Sequence, residues 1–119
     1  MADRVDATDP VVVEFPAEFD CANARDVAER LRAAINPETD AVVADLTSTA
    51  FCDSAGLRTM LLARGWASID NVELRLAVPP GPTLAIFKLA ALDELLPIYP
   101  TLKKALAGDP IDDSDAAPG

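Results

Sequence analysis

Hydrophobic and polar residues alternate along the chain in two kinds of pattern. Short runs rich in β-branched residues predict strands, and one of them, "AVVADL", is almost wholly apolar, as expected of a strand covered on both faces. Between these runs, apolar residues recur every three or four positions, which predicts amphipathic helices. The predicted strands lie at residues 11–15, 41–46 and 72–78, with a brief extended piece at 97–99, and the predicted helices at 20–35, 54–67, 83–91 and 101–107.

Strands that alternate with helices across short loops predict an α/β fold with a small, mostly parallel sheet and about four helices. Asp20 and Asn23 are competing candidates for the cap of the first helix. In the second helix, Leu57, Met60 and Leu61 are the predicted core stripe.

Length and composition limit the domain organisation. The chain has 119 residues, half of them hydrophobic, which is enough for one core and too short for two ordinary domains. We expect a polar segment at residues 1–10, one globular domain at 11–107 and an acidic tail at 108–119.

The net charge of -10 repels phosphate backbones and anionic lipids, so neither nucleic acid nor a membrane surface is an expected partner. No apolar run approaches the roughly 20 residues that span a bilayer, and the first residues lack a signal-peptide layout. We therefore expect a cytoplasmic protein. Two cysteines and no histidine are too few for a disulfide scaffold or a zinc site, and we expect no metal and no cofactor.

The stretch "FCDSAGL" places Asp53 and Ser54 where the second helix is predicted to begin. A serine nucleophile needs a general base, and the chain has no histidine to provide one. Its glycines form neither a phosphate-binding loop nor a dinucleotide fingerprint. Asp20, Asp45 and Asp53 lie near strand ends, as in a magnesium site, but aspartates at loop–helix junctions are more often caps. We expect no enzyme and no catalytic residue.

Because aspartate is a preferred N-cap residue, the local sequence predicts that Asp53 caps the second helix and that Ser54 is its first residue. A phosphate added to Ser54 would meet backbone amides and the positive end of the helix dipole. Such a modification adds close to two negative charges to the surface and leaves the fold in place. A cap and a switch at this position are compatible.

Three segments of the chain resemble, in order, the STAS domain family of bacterial anti-sigma factor antagonists. The central one, "VVADLTSTAFCDSAGLRTMLLARGWA", is similar to the family's strand ending in Asp-Leu and its Asp-Ser-x-Gly-Leu helix start. Upstream, "VVVEFPAEFDCANA" resembles a strand ending in Gly-Glu-Leu-Asp, although Ala17 replaces the glycine and a preceding strand is not evident. Downstream, "LDELLPIYP" is similar to the end of the family's third helix.

The resemblance implies a role for particular residues. Ser54 corresponds to the family's phosphorylated serine, with Asp53 and Asp20 beside the switch. Unphosphorylated, the protein would bind an anti-sigma factor that is itself a serine kinase and so release a sigma factor for transcription. The kinase would phosphorylate Ser54 and end the complex, and a phosphatase would reset it. The alternative is a STAS accessory subunit of a transport ATPase or membrane transporter that is never phosphorylated. Among its partners we also leave open a second copy of the chain in a weak homodimer.

Ser54, Arg58, Leu62 and Trp66 follow one another at steps of four along the second helix. We expect this ridge to be the partner surface, with Leu62 and Trp66 as apolar anchors and Arg58 near an acidic group or phosphate. The alternative is that Trp66 packs against a neighbouring element, as most tryptophans do.

Two cysteines flank the predicted switch, because Cys21 follows Asp20 and Cys52 precedes Asp53. A thiol pair here would respond to oxidation. The alternative is that both are small residues that fill space.

Overall fold

The computed structural model describes residues 9–108, and it confirms the predicted α/β fold with a small parallel sheet, here of four strands, to which a separate pair of short strands is added. Four α-helices lie within this part of the chain, together with a single 3-10 turn at Leu92–Glu94. In chain order the elements are β1 (Val11–Glu14), β2 (Glu18–Phe19), α1 (Ala24–Ala34), β3 (Ala41–Asp45), β4 (Phe51–Cys52), α2 (Ser54–Asp70), β5 (Glu73–Ala77), α3 (Pro82–Leu89), β6 (Ile98–Tyr99) and α4 (Leu102–Ala107).

The main sheet has the strand order β1-β3-β5-β6, and every neighbouring pair is parallel. Its second strand, β3, is buried at all five positions, as the run "AVVADL" predicts. Parallel strands need crossover connections, and the helices between them provide these. The carboxyl ends of β1 and β3 therefore lie side by side, with Glu14 in register with Asp45.

Helices α1, α2 and α3 contribute to the main core with one face of the sheet. Their buried contributions include the following side chains: Val27 and Leu31 from α1, Met60 and Ala63 from α2, and Phe87 from α3. Complete burial of a valine, leucine, methionine or phenylalanine side chain stabilises a fold by about 1.5–3 kcal/mol. Among residues 9–108, no helix has the length and apolar character needed to cross a membrane.

The opposite face of the sheet is covered by α4, which contributes Ala105 to a small second cluster with Val43, Ala77 and Tyr99. Arg75 of β5 fastens this helix, because its guanidinium donates to the carbonyl oxygen of Ala105 at 2.9 Å. A cation at the last carbonyls of a helix also meets the negative end of the helix dipole.

The buried side of α2 differs from the predicted one. Leu61, a predicted core residue, is 49% exposed, and Leu57 is half-buried, whereas Met60 is fully buried as predicted. The other buried positions are small or polar: Gly56, Thr59, Ala63 and Ala67. The prediction is therefore confirmed at Met60, confirmed in part at Leu57, which packs against the main core, and wrong at Leu61, because α2 carries apolar residues all round.

Several element boundaries also differ from the predictions. The first helix begins at Ala24, four residues later than predicted, and the second continues to Asp70. Asn71 ends α2 in the left-handed conformation at φ 60°, which asparagine tolerates better than most residues. Two strands of two residues each, β2 and β4, were not predicted. The predicted segments 1–10 and 108–119, and any strand before Val11, fall almost wholly outside the described residues.

Candidate functional site at the start of helix α2

The two short strands β2 and β4 bring the chain after β1 next to the chain after β3. They pair in parallel, with Phe19 in register with Cys52, and the backbone N–H of Asp53 donates to the carbonyl oxygen of Phe19 at 3.2 Å. Asp20 and Asp53, the residues that follow the two strands, are thereby placed side by side.

Asp53 uses both oxygens of its side chain to hold this arrangement. Its Oδ1 accepts hydrogen bonds from the backbone N–H groups of Ala55 at 2.9 Å and Gly56 at 3.1 Å, so Asp53 is the N-cap of α2. Its Oδ2 accepts from the backbone N–H of Cys21 at 3.2 Å. One carboxylate therefore caps a helix and ties the β2–α1 loop to it.

Asp20 stabilises its own turn and does not cap the first turn of α1. Its Oδ1 accepts from the backbone N–H of Ala22 at 3.0 Å, while its own N–H donates to Oδ1 of Asn23. Asn23 occupies the N-cap position, but its side chain makes no capping bond there. The expectation that one of these two side chains caps the first helix is therefore wrong, because both are engaged within the turn before it.

Helix α2 approaches β2 and β4 very closely at Gly56. A Cβ atom on this residue would lie 2.8 Å from Sγ of Cys52 and 2.9 Å from the carbonyl oxygen of Phe19, so only glycine fits without a shift. Burial, reinforced by the charge of Asp53, raises the pKa of the Cys52 thiol to about 11. This thiol is therefore protonated at neutral pH.

Ser54 lies on the other side of the same turn and is exposed. Its hydroxyl has no hydrogen bond with any residue of the described part of the chain. The amides of Ala55 and Gly56, which the sequence suggests would meet a phosphate on Ser54, already donate to Asp53. A group attached to Ser54 would therefore project into solvent, beside two carboxylates, without displacing any contact that holds the turn.

The predicted ridge along α2 is not uniformly exposed. Ser54, Arg58 and Leu62 face solvent, and Leu62 is 50% exposed. Trp66 is half-buried against the main core, and Cζ of Arg32 lies 5.6 Å from the centre of its ring. Four residues advance a helix by slightly more than one turn, so the ridge rotates toward α1 as it proceeds. The structure therefore groups Trp66 with α1 rather than with Ser54.

The third strand-end aspartate, Asp45, is buried apart from the other two, and its Oδ1 accepts from the hydroxyl and the N–H of Thr47. Within residues 9–108, no three carboxylates or thiols are grouped as metal ligands would be. The two thiols also differ, since Cys21 is exposed and Cys52 is buried.

Comparison with known proteins places this geometry in a family. Residues 2–105 match the family model of the STAS domain. An anti-sigma factor antagonist from Mycobacterium paratuberculosis has a similar structure, with a TM-score of 0.74, 26% sequence identity and 82% of each chain covered.

Two further similar structures share the fold at lower identity. A candidate anti-sigma factor antagonist from Thermotoga maritima superposes with a TM-score of 0.69 at 18% identity, covering 82% of this chain and 86% of the other. A sulfate transporter family protein from Wolinella succinogenes also gives 0.69, at 17% identity and with 82% of each chain covered.

Proposed function

Because the chain belongs to the STAS domain family, we propose that it is an anti-sigma factor antagonist whose binding is switched by phosphorylation of Ser54. Unphosphorylated, it binds an anti-sigma factor that is also a serine kinase and thereby frees a sigma factor in the cytoplasm. The kinase supplies ATP and magnesium and transfers phosphate to Ser54. A phosphatase then removes the phosphate and restores binding.

The observation that carries this proposal is that Asp53 holds the turn in place while the hydroxyl of the adjacent Ser54 is exposed. Asp53 accepts three backbone hydrogen bonds and holds the turn. Ser54 is exposed, and its hydroxyl makes no hydrogen bond within the described residues. A substrate serine has to enter a kinase active site without unfolding its own domain, and Ser54 meets that requirement.

The electrostatics of the turn support a large effect of phosphorylation on binding. The phosphate would add nearly two negative charges beside Asp53 and Asp20, on a chain whose net charge is already -10. The nearest amides donate to Asp53, so they are not available to neutralise it. Arg58 lies about one helical turn after Ser54 on the same side of α2, and it is the cationic residue of the predicted ridge.

The proposed partner surface begins at Ser54 and continues along α2 through Arg58 and Leu62. Leu62 offers exposed apolar area, and Arg58 offers a charge that an acidic group of the partner could meet. Trp66 remains a proposed contact at the edge of this surface, where the guanidinium of Arg32 lies over its ring.

The experiment that tests this function is a pull-down from a lysate of the native organism, with mass spectrometry of the retained proteins. The baits are the wild type, Ser54→Ala and Ser54→Asp, with Ser68→Asp as a control because Ser68 is an exposed serine on the same helix. We expect an anti-sigma kinase on every bait except Ser54→Asp.

Two other outcomes would contradict the proposal. If Ser54→Asp retains the same kinase, a negative charge at this position does not control binding, and Ser54 is not the switch. Retention of a transporter or transport ATPase by all four baits would instead support the accessory-subunit alternative, for which the structural similarity at 17% identity shows the fold alone.

A further inference from the structure

Helix α2 exposes an unusual amount of apolar surface on its solvent side. Leu61 and Leu62 are about half exposed, at 49% and 50%, and Ile69 is 80% exposed. Gly65 lies between them, and a Cβ atom built on it meets nothing within 4 Å. We call Arg58, Leu61, Leu62, Gly65 and Ile69 the α2 stripe.

The members of the α2 stripe share one face of the helix. With 3.6 residues per turn, all five lie within about 60° of the direction of Arg58. The buried residues Met60 and Ala67 point to the opposite side. Nothing in the described part of the chain packs over the stripe's glycine, so another helix could approach the backbone closely there.

Two members of the stripe, Leu61 and Ile69, lie at equal distances from Gly65 along the helix axis. Leu61 precedes the glycine by four residues, and Ile69 follows it by four. If a second α2 lies antiparallel with the twofold axis at Gly65, Leu61 of each copy faces Ile69 of the other. The two glycines then meet at the crossing, where the absence of side chains allows the shortest distance between the helices.

We propose that the α2 stripe is the contact surface of a homodimer, with two copies of α2 packed antiparallel and crossing at Gly65. A pair of exposed apolar residues at equal distances on both sides of a glycine is self-complementary, as a contact between two copies related by a twofold axis requires. This proposal stands independently of the proposed function.

The charges of α2 also suit this arrangement. In the antiparallel pair, Arg58 lies near the C-terminal end of α2 of the second copy, where the last carbonyl groups and the helix dipole favour a cation. The whole chains oppose it, since each carries a net charge of -10. A contact between two helices alone is also smaller than the roughly 1,200 Å² of most stable interfaces, so we expect a dissociation constant on the order of 10⁻⁴ M.

Dimerisation would compete with the proposed partner. Leu62 and Arg58 belong both to the α2 stripe and to the surface that begins at Ser54, so a dimer covers residues that an anti-sigma factor would contact. At high protein concentration the dimer would therefore lower the amount of monomer that is free to bind the partner.

The test is sedimentation equilibrium of the full chain from about 10 µM to about 1 mM, at low and high salt. Wild type should associate, and should associate several-fold more tightly in about 1 M salt, because screening removes the repulsion between the two acidic chains. Leu61→Glu and Ile69→Lys should each be monomeric at all concentrations, with thermal stability near that of the wild type because both side chains are exposed.

The double variant Leu61→Glu/Ile69→Lys tests the geometry itself. In the antiparallel pair each new carboxylate faces a new ammonium, so the double variant should regain association, and its dimer should weaken with salt rather than tighten. A wild type that stays monomeric at about 1 mM in high salt would overturn the proposal. It would also be overturned if the single variants associate like the wild type, or if the double variant stays monomeric.

An effect of the single variants on partner binding, with a monomeric wild type, would assign the α2 stripe to the partner instead. A wild-type dimer whose pull-down retains no anti-sigma factor would leave the homodimer standing and remove the proposed function.

Discussion

The two sides of the first turn of α2 differ: the inner side makes close contacts that stabilise the fold, and the outer side is exposed to solvent. On the inner side, Asp53 accepts three backbone hydrogen bonds and Gly56 lies too close to Cys52 and Phe19 to carry a side chain. On the outer side, Ser54 is exposed and its hydroxyl makes no hydrogen bond to the described residues. Adjacent residues thus separate the contacts that stabilise the turn from an exposed hydroxyl, and in the proposed function a phosphate on that hydroxyl would change binding without changing the fold.

The largest effect should come from the inner side, at Gly56. We expect Gly56→Ala to lower the free energy of unfolding by about 2–3 kcal/mol, because its methyl group would overlap Sγ of Cys52 and the carbonyl oxygen of Phe19. Gly65→Ala on the same helix is the matched control. Nothing lies near its Cβ position, so it should gain about 0.4–1 kcal/mol. Urea unfolding at low protein concentration measures both, and equal effects would contradict the close contact at Gly56.

The next effect concerns the cap. Asp53→Ala removes the acceptor for the amides of Ala55, Gly56 and Cys21, and we expect a loss of about 1–2 kcal/mol. Asp53→Asn should lose less, since its amide oxygen still accepts hydrogen bonds. Both are measured by urea unfolding monitored by circular dichroism. Unchanged stability of Asp53→Ala would show that the cap contributes nothing to folding.

A smaller effect on the free energy of unfolding should appear at high pH, where the Cys52 thiol loses its proton. Burial raises the pKa of the Cys52 thiol from 9.0 to about 11, so the folded protein holds this proton more tightly than the unfolded chain does. The resulting stabilisation is fully present below pH 9 and is lost as the pH rises toward 11. The difference in stability between wild type and Cys52→Ala should therefore shrink over this range in urea titrations. A difference that is constant with pH would contradict the raised pKa.

The smallest effect on folding should come from the outer side. Ser54→Ala should change the free energy of unfolding by no more than about 0.5 kcal/mol, because the hydroxyl makes no contact that the fold uses. Ser54→Asp should be equally stable, yet should bind the partner about tenfold or more weakly through its added charge. Urea unfolding and isothermal calorimetry separate the two readouts. A large loss of stability in Ser54→Ala would show that the side chain of Ser54 stabilises the fold and would contradict this expectation.

The order of strands and helices could be predicted because each long element carries its own period. The run "AVVADL" identifies β3, and the three- and four-residue spacing of Val27 and Leu31 identifies α1. Asp53 as a cap followed from its position before an apolar helix, since capping depends on local geometry alone.

Other features depend on tertiary contacts that no local pattern records. Strands β2 and β4 have two residues each, which is too short for any period, yet they place Asp20 beside Asp53. The predicted buried side of α2 was wrong at Leu61 because the buried positions of this helix include Gly56, Ala63 and Ala67, which are too small to mark a buried face by their hydrophobicity. The glycine of "DSAGL" is the one signal in the sequence that could have indicated this close approach.

The most direct test of the central claim is to locate the phosphate. Wild type and Ser54→Ala would each be incubated with ATP and the kinase captured in the pull-down, and every modified residue would be mapped by tandem mass spectrometry. The account predicts one phosphate on Ser54 of the wild type and none on Ser54→Ala, with Asp53→Asn still modified at Ser54. A phosphate at another residue, or equal labelling of Ser54→Ala, would contradict it.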